Sequence, residues 1–358
     1  DTLGTLYGAC ARGGLLTKDI GELKRIFLSP GPIFDPEDRM DDYWGYTEAF
    51  YSVGFRPGDV VQVTFNYHLS PAGLMFEEPL RNLGCASIPA GPTDPGTQLD
   101  IMQKLRVSGY VGTASYLMHL AQKAEEKGIN LRKDLFQEVA FVTGERRWHY
   151  QGQAPALSEK MRNQLEKKFD IILRQGYGTA DVGCIGYECF HKTGLHISNR
   201  CYVEICHPDT GIPLKDGEVG EIVVTSFNKT YPLIRLATGD LSYIDRAPCA
   251  CGRTSPRLGS IVGRVDTTAR IKGMFVYPHQ VEQVMARFED IKRWQIEVIN
   301  PGGIDEMILY VEASNFHQED ELLHLFRERI KLRPELKVLA PGTLPPQIKP
   351  IEDKREWD

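Results

Sequence analysis

The chain has 358 residues, 42% apolar and 25% charged. That is the balance of a soluble globular protein of about two or three domains, and it excludes a disordered or fibrous chain. Its 42 basic and 48 acidic side chains leave a formal charge of −6, so no global positive field exists to hold nucleic acid or an anionic bilayer.

No apolar run nears the ~18 residues needed to span a membrane, and Asp1-Thr2-Leu3-Gly4-Thr5 lacks a charged-then-apolar signal pattern. A cytoplasmic protein with a small-molecule partner is expected. The first thirty residues read as mixed helix and loop, ending in Arg25-Ile26-Phe27-Leu28 and the irregular Ser29-Pro30-Gly31-Pro32. Tyr43, Trp44, Tyr46 and Phe50 lie at helical spacing, predicting a helix over 42–53, and Val60–Phe65 is a β-branched strand. Helices over 74–83, 98–105, 114–127 and 158–169 then alternate with strands over 86–89, 109–112, 138–142 and 171–173.

This alternation predicts a largely parallel sheet covered by helices. After about residue 195 the rhythm changes to closely spaced strands over 202–205, 220–225 and 233–236, an antiparallel subdomain. From Val265 the order is strand, helix (280–288), two strands (295–299, 306–312) and helix (319–332), enough for a small domain of its own. There is no internal repeat and no low-complexity tract.

Three segments carry chemistry. Arg174-Gln175-Gly176-Tyr177-Gly178-Thr179-Ala180-Asp181 follows a buried strand. Its glycines let the backbone approach a ligand, Tyr177 offers a stacking face, Thr179 a hydroxyl for phosphate and Asp181 a carboxylate for a hard cation. Tyr231-Pro232-Leu233-Ile234-Arg235-Leu236-Ala237-Thr238-Gly239-Asp240 ends on a carboxylate suited to a vicinal diol. Gly263-Arg264-Val265-Asp266 is the third, followed by Arg270-Ile271-Lys272-Gly273.

In order and spacing these pieces resemble the adenylate-forming superfamily of acyl-CoA synthetases, and within it the phenylacetate-CoA ligase group. Val142-Thr143-Gly144-Glu145 and Pro341-Gly342-Thr343-Leu344-Pro345 extend the resemblance over nearly the whole chain. It implies a large α/β N-terminal domain over 1–265, with parallel sheets flanked by helices and an antiparallel subdomain at 195–263. A mobile α+β C-terminal domain would occupy 266–358.

The implied reaction is AMP-forming: a carboxylate, such as the aryl acid phenylacetate, reacts with ATP to give acyl-AMP, and coenzyme A then forms the thioester. The resemblance implies that Gly144, Glu145 and Tyr177 frame the adenine, with Gly178 beside them. Thr179 touches the α-phosphate, Asp181 helps hold Mg²⁺, and Asp240 grips the ribose with Arg264. Asp266 lies at the hinge. Tyr67 and His68, in Asn66-Tyr67-His68-Leu69-Ser70-Pro71-Ala72-Gly73, are expected at the acyl pocket.

Three departures from the family pattern stand out. The segment corresponding to the family's phosphate loop, 28–34, has one hydroxyl and no Lys, and Pro supplies no N–H to a phosphate. Ala237 stands where Arg or Lys commonly precedes Thr-Gly-Asp, although Arg235 is kept. In the tail, Lys349 fits the expected distance of the catalytic lysine from Leu344-Pro345, while Lys354 fits if residues are inserted. An acceptor other than CoA, including adenylylation of a deazaflavin cofactor, and an inactive nucleotide or acyl-adenylate binding protein are the competing readings. A homodimer is left open.

Six of the eight cysteines fall between 184 and 251. Cys249-Ala250-Cys251-Gly252 is a knuckle that can turn two thiolates to one ion, and a tetrahedral zinc needs two further ligands. Members of the resembled group close such a site with a Cys and the His of a Gly-Leu-His piece, which implies Cys189, His196, Cys249 and Cys251, with Cys184 and His191 in reserve. Four protein ligands make a structural Zn²⁺ clamp rather than a catalytic one. Cys10, Cys85, Cys201 and Cys206 read as packing thiols.

Overall fold

The computed structural model describes residues 14–29, 33–143, 157–265, 269–271, 274–299, 301, 306–345 and 348–355. Two compact units form, one within residues 1–145, 157–238 and 243–260, the other including 239–242 and 261–358. In the first, β1 (Arg25–Ser29) and β2 (Ile33–Glu37) make an antiparallel hairpin, so the short apolar piece at 25–28 is strand rather than helix or loop.

Helix α1 (Thr47–Val53) starts five residues later than the aromatic spacing predicts. Asp42 and Gly45 take left-handed φ values of 49° and 72°, which no helix accepts. The Asp42 carboxylate instead accepts from the Tyr46 and Thr47 N–H groups at 2.9 and 3.2 Å. Tyr43, Trp44 and Tyr46 therefore belong to a turn, not to a helical face.

Strand and helix then alternate: β3 (Val60–Val63), α2 (Ala72–Asn82), β4 (Ala86–Pro89), α3 (Pro95–Lys104), β5 (Gly109–Gly112), α4 (Ala114–Glu126), β6 (Val139–Val142), α5 (Glu159–Phe169) and β7 (Ile172–Thr179). Side-chain caps explain several helix starts. Asp94, Thr113 and Ser158 accept from the N–H groups of Thr97, Tyr116 and Met161, each satisfying one of the orphan donors of a first turn.

The nine-stranded sheet of this unit continues through β8 (Gly183–Glu188), β9 (Leu195–Ile197), β13 (Ile244–Asp245) and β14 (Arg257–Leu258), in the order β13-β14-β9-β8-β7-β6-β5-β3-β4. Its β4-to-β7 half is parallel, and the rest is antiparallel. An apolar core with Leu99, Met102, Leu117, Leu120 and Leu165 packs α3, α4 and α5. A second, aromatic core packs Trp44, Tyr46, Phe50, Phe55, Phe76 and Phe141.

Between β9 and β13 the chain forms β10 (Cys201–Cys206), β11 (Gly220–Ser226) and β12 (Leu236–Ser242). The expected strand at 233–236 is displaced, because Arg235 sits at φ 53° and β12 can begin only after it.

The second unit holds β15 (Gly263–Arg264), β16 (Ala269–Ile271), β17 (Met274–Val276), α6 (Pro278–Met285), β18 (Arg293–Ile299), β19 (Glu306–Glu312), α7 (Glu319–Ile330), β20 (Glu335–Leu339) and β21 (Ile351–Asp353). Its four-stranded sheet runs β20-β19-β18-β21, with an antiparallel centre and parallel edges. Both helices contribute to one core with Val281, Trp294, Ile296, Leu309, Leu322 and Phe326. No helix among the described residues is long and apolar enough to cross a membrane.

Candidate active site and metal centre

Strand β7 is where the sheet changes direction. Residues 172–175 pair parallel with β6, while 176–179 have outrun β6 and pair antiparallel with β8. The register slips between Tyr177 and Gly178, a bulge of the kind that re-aims side chains beside active sites. Tyr177, Gly178 and Thr179 thus leave the carboxyl end of a parallel strand, where α/β sheets bind ligands.

Close packing explains the glycines. A Cβ on Gly176 would stand 2.4 Å from the Phe141 ring, and one on Gly178 would stand 2.2 Å from the Gly183 carbonyl and 2.3 Å from the Tyr46 hydroxyl. The Thr143 hydroxyl donates to the Gly176 carbonyl at 2.9 Å. Beyond the bulge, the Val182 N–H donates to Thr179 Oγ1 at 3.2 Å, and the indole of Trp44 donates to the Ala180 carbonyl at 3.1 Å.

Asp181 closes this turn. Burial pushes its carboxyl above the usual range, opposed by a hydrogen bond with the Asp35 side chain. Its Oδ1 is buried and takes no hydrogen bond among the described residues, so an acceptor atom is available to a hard cation. Asp35 is fully buried, and sequence reasoning missed it, since nothing local in Ile33–Glu37 marks a carboxylate that meets another 146 positions on.

The base of β7 is anchored by a buried ion pair that was also not legible beforehand. Glu188, 2% exposed, accepts from both Arg162 Nη atoms at 3.0 and 2.6 Å and from the Gln175 main chain and side chain at 2.9 and 3.0 Å. Every acceptor direction is used, which is what a buried charge requires.

In the second unit Asp240 and Arg264 are register partners across β12 and β15, and Arg264 Nη1 donates to Asp240 Oδ1 at 2.9 Å. Gly239, at φ 76°, leaves room for that guanidinium: a Cβ there would stand 2.7 Å from Arg264 Nη2. Arg235, two residues before Ala237, bonds to Glu204 and to the Gly211 carbonyl.

Lys349 is exposed, and its ammonium has no ion-pair partner among the described residues. Lys354 pairs with Glu297 at 2.7 Å and Glu352 at 3.5 Å. Tyr67 packs its ring over Gly73 at the start of α2 and joins the rim of the aromatic core, whereas His68 is exposed. Gly144, Glu145 and Asp266 lie outside the described residues.

Cys189, His196, Cys249 and Cys251 come together, with ligand atoms all within 4.8 Å of one another. Cys184 and His191 are outside this set. Cys189 Sγ lies 3.7 Å from Cys249 Sγ, and Cys251 Sγ lies 3.4 Å from His196 Nε2. A tetrahedral zinc with bonds of about 2.3 Å to sulfur and about 2.0 Å to nitrogen sets ligand separations of about 3.8 and 3.5 Å. The donor set fits that ion.

His196 stands in β9, while left-handed Lys192 (φ 55°) and Gly252 (φ 83°) close the turns that carry Cys189, Cys249 and Cys251. Their N–H groups donate to the Cys189 and Cys249 carbonyls at 3.1 and 3.0 Å. Ser255 Oγ, 3.2 Å from His196 Nδ1, orients the ring so that Nε2 faces Cys251. Burial pushes the Cys189 thiol up to about 11. Burial also opposes ionisation of Cys249, but hydrogen bonds from the Cys251 N–H, the Thr193 hydroxyl and the Cys251 and His196 side chains together outweigh it and bring that thiol down to about 5.

The fold is that of adenylate-forming acyl-CoA ligases. A solved structure of 2-hydroxyisobutyryl-CoA ligase, in complex with 2-HIB-AMP and CoA, superposes with a TM-score of 0.80 at 21% identity, covering 95% of this chain and 77% of that one. Residues 273–355 match the AMP-binding enzyme C-terminal domain. The phenylacetate-coenzyme A ligase of Thermus thermophilus is 32% identical over 317 residues, 82% of this chain and 69% of that enzyme. That of Pseudomonas putida is 29% identical over 267 residues, 73% and 58% of the two chains. The chain belongs to the phenylacetate-CoA ligase family.

Proposed function

We propose that the protein is an AMP-forming carboxylate-CoA ligase whose acid is an aryl carboxylate of the phenylacetate type. One observation carries the reading: the Tyr177-Gly178-Thr179 bulge leaves the carboxyl edge of the parallel sheet in a chain 32% identical to a phenylacetate-coenzyme A ligase. In the first half-reaction a carboxylate oxygen attacks the α-phosphorus of ATP, forming acyl-AMP and releasing pyrophosphate. In the second, the CoA sulfur attacks the acyl carbon and AMP leaves.

Tyr177 stacks on the adenine, the Gly178 backbone lies alongside it, and Thr179 donates to the α-phosphate. Asp240, oriented by Arg264, accepts from the ribose hydroxyls. Asp181 is the residue to hold Mg²⁺, which when bound neutralises phosphate charge. Lys349 is favoured over Lys354 as the adenylation lysine, because the latter's ammonium is already held by two carboxylates. Asp266 serves as the hinge between 1–265 and 266–358. Cys189, His196, Cys249 and Cys251 hold a structural zinc.

One feature favours a second reading, an adenylate binder without adenylation. Where the resembled family has a hydroxyl-rich phosphate loop, this chain has the β1–β2 hairpin, whose Asp35 and Glu37 are buried carboxylates. Pyrophosphate–ATP exchange over a panel of aryl and alkyl carboxylates, then product analysis with and without CoA, separates the readings. Acid-dependent exchange and a CoA thioester are expected. Binding of AMP with no exchange for any acid would establish the binder, and exchange without thioester would point to another acceptor.

A further inference from the structure

We propose that Trp44 is the positioning residue of the nucleotide turn, holding the loop from Ala180 to Cys184 in the shape that presents Thr179 and Asp181 to phosphate. The inference rests on the adenylate reading above and concerns a residue outside every motif that supports it.

A buried indole has one donor and must place it. Trp44 is 3% exposed, and its Nε1–H donates to the Ala180 carbonyl at 3.1 Å, across 136 residues of sequence. Its own carbonyl accepts from the Cys184 N–H at 2.8 Å. One residue thus grips both ends of the loop, through side chain at one end and main chain at the other.

The fit is close enough to dictate sequence. Gly183 has φ 85°, and a Cβ there would stand 2.3 Å from the Trp44 carbonyl. Two residues after Trp44, the Tyr46 hydroxyl sets the matching limit at Gly178. The loop's internal bond, from the Val182 N–H to Thr179 Oγ1, depends on the curvature these contacts impose.

Trp44 is itself immobilised. The Tyr43 ring meets it edge-on at 5.1 Å and Phe27 lies at 5.7 Å. Arg200 donates to the carbonyls of Asp42 and Tyr43 at 3.3 Å each. This explains why residues 42–46 form a turn instead of the first turn of α1: in a helix the indole and the carbonyl of Trp44 could not both reach one loop. Freed from Trp44, the loop keeps Tyr177, which precedes the bulge, but loses its hold on Thr179 and Asp181.

The test uses the full chain. Trp44→Phe keeps a ring and removes the donor, while Phe27→Leu removes packing on Trp44 and keeps the donor. Binding of ATP with Mg²⁺ and of adenosine is measured by titration calorimetry, alongside thermal unfolding. Trp44→Phe is expected to lose about ten-fold in ATP affinity and to hold adenosine within about two-fold. Phe27→Leu should lower the melting temperature with both affinities kept.

Equal ATP affinity in wild type and Trp44→Phe, an equal loss for ATP and adenosine, or the same split in Phe27→Leu overturns the role. If Trp44→Phe does not fold, Gly183→Ala, which pushes the same loop off the Trp44 carbonyl, carries the same expectation and the same refutation. A wild-type protein that binds neither ligand overturns the adenylate reading itself, a result distinct from any variant effect.

Discussion

Arg264 and Asp240 face each other across the β12–β15 pairing, with a guanidinium nitrogen 2.9 Å from a carboxylate oxygen. Arg264 is an exposed side chain, so the pair adds little to stability; its consequence is orientation of the carboxylate. On the proposed ribose role, Asp240→Ala should weaken ATP binding roughly 100-fold, because two hydroxyls would lose a charged acceptor. Arg264→Ala should cost only a few-fold. Titration calorimetry checks both, and unchanged affinity in Asp240→Ala removes it from the site.

Breaking the buried Arg162–Glu188 pair is a stability experiment. Arg162→Met leaves Glu188 charged, buried and short of two donors, and should cost roughly 3–5 kcal/mol in urea unfolding. The double variant Arg162→Met, Glu188→Leu should recover much of that loss, because the stranded charge is gone. A single variant as stable as wild type would show that the pair does not hold β7 to α5.

Lys349 and Lys354 make opposite predictions. Lys349→Ala should depress pyrophosphate exchange by about 100-fold or more, as loss of a charged group at developing phosphate charge does, while thioester formation from pre-made acyl-AMP persists. Lys354→Ala removes an ion pair with Glu297 and should leave exchange within about two-fold. The reverse pattern assigns the role to Lys354.

Elemental analysis should find about one zinc per chain, and chelation should lower the melting temperature by roughly 5 °C or more. Cys251→Ala or His196→Ala should lose the metal. A fully folded protein purified without zinc from zinc-replete medium would count against the clamp.

The metal-free protein should also show a pH signature. Cys249 falls to about 5 in the fold from an ordinary thiol value of 9.0. Its ionised form therefore stabilises the native state fully above 9.0, and the contribution is lost as pH falls toward 5. The stability difference between metal-free wild type and Cys249→Ala should grow with pH across that window. Chemical denaturation at several pH values measures it, and a difference independent of pH refutes the assignment.

Much of the fold was legible locally. Val60–Val63, Ala86–Pro89 and Gly109–Gly112 announce themselves by β-branched or Gly-bounded runs, and α4 and α5 stand within the helices expected over 114–127 and 158–169. The reading failed where one residue takes a left-handed backbone conformation for tertiary reasons. Asp42 and Gly45 delay the helix predicted over 42–53 until Thr47, and Arg235 delays β12. Asp42 and Arg235 are not glycines, so of these left-handed positions only Gly45 was marked by its residue type.

The sequence alone carried the resemblance that points to the class of chemistry, through the ordered Tyr-Gly-Thr and Thr-Gly-Asp pieces, and the alternation that builds a parallel sheet. These are properties of residues within a few positions of one another, where backbone preference and side-chain period act. The tertiary structure decided which distant groups meet. Asp35 reaches Asp181, Trp44 reaches Ala180, and the Cys189 loop reaches Cys249 because strand order and register bring them together. A two-residue period tells which face a side chain takes but not which strand lies beside it, so those encounters exist only in the folded chain.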